Sequence, residues 1–188
     1  EAAAATHSGA ITGHTITTRY HNSSRTLGSG GQFSFTGTTT AGKGGTWPNA
    51  DGYFYDADGK QFAVVGEVNV RKYGATGDGT TNDYSSIQSA ITYINAVSGG
   101  TIYFPSGTYN VGTALVSTAF GVILKGESLI TTSIVGTHSS GAVYQWKRSR
   151  CQIIDITIDA SSARNAGAAG SNYGLLGEAA DTAGHAVA

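Results

Sequence analysis

The chain is 188 residues long, which allows one large or two small domains; 28 of those residues are glycine and only 12% are charged. This Gly/Thr/Ser-rich, charge-poor composition excludes a charge-rich disordered chain and a helical bundle, and it suits an all-β solenoid with many tight turns. A formal net charge of −1 gives no electrostatic ground for nucleic acid or an anionic membrane as partner. Glycans, held by aromatic faces and hydrogen bonds, remain a compatible class.

Residues 1–66 form a first region. The run at Ala2 to Ala5 lacks a basic flank and is too short for a signal-peptide core. The chain contains no methionine, and we expect it to be a segment of a longer product. Residues 10–20 alternate through Ile11, Thr12, His14, Ile16, Thr18 and Tyr20, which predicts a strand. Residues 22–31 read as a polar connection, residues 32–40 as a second strand through Phe33 and Phe35, and residues 38–45 as a loose small-residue loop. The turn dipeptides Asp51-Gly52 and Asp58-Gly59 bracket Tyr53, Phe54 and Tyr55, and residues 53–65 therefore predict a β-hairpin.

Residues 67–111 carry the sharpest pattern. A short strand through Val70 reaches Tyr73-Gly74-Ala75, and a turn follows at Gly77-Asp78-Gly79. A helix over about 83–97 comes next. Asp83 is its expected N-cap, with the carboxylate accepting first-turn amides. Ile87, Ala90, Ile91 and Ile94 fall at i, i+3, i+4 and i+7 as one apolar stripe, and Gly99-Gly100 is expected to end the helix. A second strand then runs through Thr101, Ile102, Tyr103 and Phe104 into Pro105-Ser106-Gly107-Thr108-Tyr109.

Beyond this point short apolar runs recur after glycines, at 102–104, 122–124 and 143–146, with further runs at 133–135 and 153–158. The main spacing of about twenty residues lies in the range of stacked coils. Only two or three coils fit. The Ala/Gly-rich tail from 167 to 188 reads as unpatterned and unlike a closing cap, so we expect the solenoid to continue past residue 188.

The order of strand, Gly-Asp-Gly turn, single helix, Gly-Gly break and Phe-Pro-x-Gly strand resembles the opening of pectate-lyase-superfamily proteins, most closely the N-terminal portion of a phage tailspike. The resemblance implies a mainly β chain: a β-rich virion-anchoring or linker module over 1–66, then the start of a right-handed parallel β-helix over 67–188, its first coil covered by the 83–97 helix. It also implies a homotrimer, phage tail or baseplate proteins as partners of the N-terminal module, and host cell-surface polysaccharide as ligand, often with depolymerase activity. Localisation would be the virion, acting at the bacterial surface. Two alternatives stand beside this reading: a secreted polysaccharide lyase or glycoside hydrolase with the same solenoid start, and a non-catalytic structural virion component.

The candidate chemical groups have simpler readings. Gly77-Asp78-Gly79 lacks the spacing of a phosphate-cradling loop and reads as a turn. Asp56-Ala57-Asp58-Gly59 lacks the further acidic ligands of a calcium loop and reads as a hairpin turn. Asp155 and Asp159, placed on one strand, would lie about 13 Å apart. That exceeds the roughly 5–9.5 Å of a glycosidase pair. In the resembled family an Ile-Thr-Ile-Asp ending such as 156–159 marks a strand-to-turn boundary.

Trp146 with Arg148 and Arg150, together with Lys147, could hold an acidic sugar through a stacking face and bidentate contacts, but the segment is expected to be a solvated turn. His7, His14, His21, His138 and His185 show no metal-ligand spacing, so no metal or cofactor is expected. The single cysteine, Cys151, can form no intrachain disulfide and reads as a small buried hydrophobe beside Ile153 and Ile154. No stretch approaches the roughly 18 consecutive apolar residues of a membrane span, so no membrane insertion is expected. The acids after the helix are Glu127, Asp155, Asp159, Glu178 and Asp181. The resemblance places catalytic carboxylates on later coils or between subunits, and no catalytic residue is named in this segment.

Overall fold

The computed structural model describes residues 12–13, 15–18, 31–42, 51–138, 141–160 and 174–177. The readings made for His7, His14, His21, Glu178, Asp181 and His185 lie outside these residues.

Alternation in the first region produces an antiparallel sheet. Strands β1 (Thr15–Thr18), β2 (Gly31–Thr39), β3 (Phe54–Tyr55) and β4 (Lys60–Val64) pair in the order β1-β2-β4-β3. Phe33 and Phe35 on β2 meet Phe62 and Val64 on β4 at the buried face, as a period of two requires. The hairpin expected at 53–65 is present. Its turn is held by buried Asp56, whose Oδ1 accepts the amides of Asp58 (3.0 Å) and Lys60 (2.9 Å). Strand β2 continues through Thr39, so the loop expected from residue 38 begins later: the amide of Thr40 still donates to the Gly59 carbonyl at 2.8 Å.

Strand β5 (Val68–Asn69) passes into a 3-10 helix, Val70–Tyr73, and strand β6 (Asp78–Asn82) leads to helix α1 (Tyr84–Ala96). The stripe Ile87, Ala90, Ile91 and Ile94 is buried as expected, and Tyr93 is buried on a second face. Two details differ from the sequence reading. Asp83 holds the N-cap position, yet its carboxylate makes no cap bond and turns back to the preceding loop. At the other end Ser98 (φ 67°) takes the left-handed position that follows the helix. Gly99 is required for another reason: a side chain there would collide with the Phe120 carbonyl, so the chain crosses this corner only without one.

From Gly100 the chain winds in coils of three short parallel strands. The strands are β7 (Gly100–Phe104), β8 (Gly107–Val111), β9 (Leu115–Ser117), β10 (Val122–Gly126), β11 (Thr132–Gly136), β12 (Tyr144–Trp146), β13 (Gln152–Ile154), β14 (Thr157–Asp159) and β15 (Leu175–Gly177). They stack into sheet B (β5-β7-β10-β13), sheet C (β6-β8-β11-β14) and sheet D (β9-β12-β15). Inward residues stack in register: Val68, Ile102, Leu124 and Ile153 in B, Tyr109, Ile134 and Ile158 in C, and Leu115, Tyr144 and Leu175 in D. This is a parallel β-helix.

Coils thus repeat 22 residues from Ile102 to Leu124 and 29 from Leu124 to Ile153. The twenty-residue spacing read from 102, 122 and 143 mixed two sides of the solenoid, because the run at 143–146 lies on sheet D. The tail is also not patternless, since Leu175–Gly177 adds a third strand to that sheet.

Sheets B and C begin with strands from before the helix, whereas sheet D begins at β9, and among the described residues α1 lies where a further strand would pair. Gln88 fills the missing place. Its Nε2 donates to the Val116 carbonyl (3.0 Å) and its Oε1 accepts the Val116 amide (2.9 Å), the pair of bonds a neighbouring strand would make. Just beyond β9, Asn95 Oδ1 accepts the amides of Thr118 (2.9 Å) and Ala119 (3.1 Å). The helix therefore covers apolar surface and closes an open sheet edge together.

The antiparallel sheet is seated on this cap. Phe33 packs on Phe54 (4.6 Å between ring centroids), Phe54 on Tyr73 (5.0 Å) and Tyr53 edge-on against Tyr93 of α1 (5.3 Å). Buried apolar residues run without a break from Phe33 to Ala160. Gly52 (φ 81°) brings the hairpin so close that an added Cβ would lie 2.7 Å from the Ser89 carbonyl oxygen.

Candidate functional site

Most described carboxylates are occupied with backbone. Asp51 accepts the Tyr53 amide (3.1 Å) and the Tyr55 hydroxyl (2.9 Å). Asp78 Oδ1 accepts the amides of Thr80 (2.8 Å) and Thr81 (2.7 Å), which hold its carboxyl well below the usual range. Asp83 is buried and accepts the Thr76 amide (2.7 Å), the Thr76 hydroxyl (3.0 Å) and the Gly77 amide (3.0 Å). Burial pushes its carboxyl up, against these bonds. Glu127 accepts the Ser106 amide at 2.8 Å and is lowered by it.

Asp155 and Asp159 do not share a strand. Asp155 (φ 52°) sits exposed in the corner between β13 and β14, and Asp159 ends β14 opposite Val135. The same-face separation assumed from sequence fails because the strand breaks at Asp155.

The basic corner is an exposed turn between β12 and β13, as its composition suggested. Arg148 lies over the Phe120 ring, 5.4 Å from its centroid. Trp146 instead shares the inward side of β12 with Tyr144 (5.8 Å between rings) and stacks against Gly177. Trp146 and Arg148 therefore do not form a joint shelf. Cys151 is half-buried, less enclosed than expected, with its thiol 3.4 Å from the Arg148 carbonyl. Among the described residues no three His, Cys, Asp or Glu side chains gather as metal ligands, and no helix is long and apolar enough to cross a membrane.

A concavity on sheet B has no signature in the sequence pattern. There an open groove of about 560 Å³ lies between the end of α1 and the first strands of the sheet. Val68, Ile94 and Val97 give it apolar walls, and Glu67, Thr101 and Lys125 bring polar groups to it. Tyr103 stands two residues beyond Thr101 on the same outer side, directly opposite Lys125 in the ladder. Its hydroxyl lies in the fields of Glu127, Glu67 and Arg71. Arg71 Nη2 donates to the Ser106 carbonyl at 2.9 Å, which joins this side to the Phe-Pro-x-Gly corner.

Alginate lyase 7 of Azotobacter vinelandii is 35% identical over 88 residues, 47% of this chain and 10% of that protein. Mannuronan C5-epimerase AlgE4 of the same organism is 48% identical over 48 residues, 26% of this chain and 9% of that protein. The chain thus spans a tenth or less of the length of these curated relatives. The tailspike protein of Acinetobacter baumannii phage AM24 superposes with a TM-score of 0.44 and 15% identity, over 89% of this chain and 30% of that one. The family model for rhamnogalacturonase A/epimerase, pectate lyase-like proteins matches residues 67–165, more than half of the chain, and it is to this family that the chain belongs.

Proposed function

We propose that this chain is the N-terminal portion of a phage tailspike-like receptor-binding protein whose β-helix acts on host surface polysaccharide. The polysaccharide part of the reading is supported by the family and by relatives that are named an alginate lyase and mannuronan C5-epimerases. The observation that carries the attachment part is the antiparallel sheet seated on the blunt end of the solenoid through Gly52, Tyr53 and Phe54. A module fixed in this way can join a β-helix rigidly to a tail or baseplate. Residues 1–66 are the attaching part in this reading, and residues 67–188 begin the glycan-acting part.

The assembled form is a homotrimer. Leu129 and Ile130, 61% and 94% exposed at the corner between β10 and β11, give apolar surface that rotational symmetry would cover. The catalytic groups belong to coils outside the described residues, because the described acids mostly hold turns. A second reading, a secreted polysaccharide lyase or epimerase-type enzyme, is favoured by the names of the curated relatives.

Light scattering on the full-length protein, run beside a viscosity assay on a panel of bacterial surface polysaccharides and alginate, tests the proposal. A trimer that thins a capsular polysaccharide is expected. A monomer active only on alginate would replace the tailspike reading with the second one, and a protein inert toward every glycan would remove both.

A further inference from the structure

Charge is distributed unevenly around the solenoid. The turns that lead from sheet D to sheet B, residues 118–121 and 147–151, expose Phe120, Lys147, Arg148 and Arg150 and contain no acid. The turns that lead from sheet B to sheet C, residues 127–131 and 155–156, expose Glu127, Leu129, Ile130 and Asp155 and contain no base. Each pair of turns is bonded from one coil to the next. On the basic side the Gly121 amide donates to the Ser149 carbonyl at 3.2 Å, and on the acidic side the Thr157 hydroxyl donates to the Leu129 carbonyl at 2.9 Å. Arg71 also reaches the acidic side, but it donates to the Ser106 carbonyl at 2.9 Å. Among the described residues no hydrogen bond or ion pair holds the Asp155 carboxylate.

The two surfaces lie at opposite ends of the same strands. Phe120, 58% exposed, stands before β10, and Leu129 and Ile130 follow it. Arg148 and Arg150 stand before β13, and Asp155 follows it. Since β13 pairs directly beside β10, both surfaces carry large apolar groups at one coil and charge of opposite sign at the next. Arg148 spans the two levels on the basic side, lying over the Phe120 ring. This matching selects a symmetry. A two-fold contact sets a surface against itself and here brings like charges together. A ring built by rotation about an axis along the solenoid sets one end of sheet B against the opposite end in the next copy. It adds no shift along that axis, so each coil meets its own counterpart. We propose that a second copy of this chain is the partner of both surfaces. Phe120 of one protomer packs against Leu129 and Ile130 of the next, Arg148 pairs with the next protomer's Asp155, and the contact repeats until the ring closes with sheet B on its inner side. The inference rests on the trimer reading above and specifies which surfaces meet.

Cross-linking of the full-length protein tests this directly. In a Cys151→Ser background, Phe120→Cys and Ile130→Cys are made singly and together, and a short bismaleimide is added. The double variant should give covalent trimers on a denaturing gel, while neither single variant should give any cross-linked band, because only the double variant carries both ends of the contact. Adding Arg148→Glu should lower the yield about tenfold by setting like charges against each other, and adding Asp155→Arg as well should restore it. Far-ultraviolet circular dichroism melts confirm that each variant is folded. A covalent dimer from either single variant overturns the proposal in favour of a two-fold contact, and an unchanged yield with Arg148→Glu overturns the charge pairing. Light scattering before cross-linking separates the remaining failures. If the double variant is a trimer that does not cross-link, this contact alone fails; if the wild type is a monomer, the trimer reading fails with it.

Discussion

Replacing Asp83 tests what fixes the cap. The side chain is 2% exposed, and its two oxygens receive the Thr76 amide, the Thr76 hydroxyl and the Gly77 amide. Asp83→Ala leaves two backbone donors without acceptors in a site closed to water. Each such group costs about 1–3 kcal/mol, so a loss of roughly 3–5 kcal/mol is expected, a large share of a typical domain's stability of about 5–15 kcal/mol.

Asp83→Asn separates shape from charge. Asn can keep the Thr76 bonds on its oxygen, but its NH₂ faces the Gly77 N–H, while the cost of burying a charge disappears. A loss of about 1–2 kcal/mol is therefore expected. Burial raises the Asp83 carboxyl above its ordinary value. The native state then holds this proton more tightly than the unfolded chain does. Stability from this group is complete below about pH 4 and declines as pH rises through the raised value. Urea unfolding of both variants and the wild type between pH 4 and 7 measures all three quantities. If Asp83→Ala costs less than about 1 kcal/mol with an unchanged denaturant slope, the carboxylate is not what fixes the cap.

Other sites yield sharper contrasts. Gln88→Ala should cost about 2–4 kcal/mol by leaving the Val116 amide and carbonyl open at the edge of sheet D, with aggregation rising in light scattering; Gln88→Glu, which keeps the acceptor and loses the donor, should fall between. Gly52→Ala should cost about 3 kcal/mol or more because its Cβ meets the backbone of α1, whereas Gly121→Ala, with open space around it, should cost only about 1–2 kcal/mol of left-handed strain in the same urea assay. The Asp78 carboxyl is lowered by the Thr80 and Thr81 amides, so its stabilising effect is present above the ordinary carboxylate value and lost as pH falls below it; Asp78→Asn should flatten the acid limb of a stability–pH curve. Asp155→Asn and Asp159→Asn should leave any depolymerising activity of the full-length protein within about tenfold of wild type, short of the roughly 10²–10⁴-fold loss that follows removal of a general acid or base.

The elements most legible in the sequence were those with one dominant local cause. The 83–97 helix was readable because its stripe has a single period, and the 53–65 hairpin because Asp-Gly turns bracket its aromatic strand. Coil length was misread because a β-helix side has no period of its own. Its turns vary in length, so Val143 and Val122 look like equivalents along the chain while standing on different sheets. The Asp83 position at the start of the helix is legible, but the partners of its carboxylate are not: an N-cap carboxylate has two directions available, and Thr76 and Gly77, seven and six residues earlier, decide between them. Gln88 and Asn95 gave no signal. On a helix, polar residues off the apolar stripe read as solvated, and only the position of β9 beneath them shows otherwise. The groove on sheet B was hidden for the same reason, since Tyr103 and Lys125 are 22 residues apart and meet only through register.

These hidden contacts share a logic that bears on function. A solenoid's first coil exposes one open edge per side, and three sides would ordinarily need three extra strands. The chain supplies β5 and β6 for two of them, and by then it has turned into the helix. For the third side, side-chain amides substitute for a peptide group, because a primary amide offers the same donor and acceptor at similar spacing. Closing the edge with a helix leaves that helix's far side available, and Tyr93 and the close approach at Gly52 bring the antiparallel sheet onto it. A strand in the helix's place would have presented another pairing edge to any neighbouring chain. The same substitution therefore ends the β-helix and provides the surface on which the preceding module is seated.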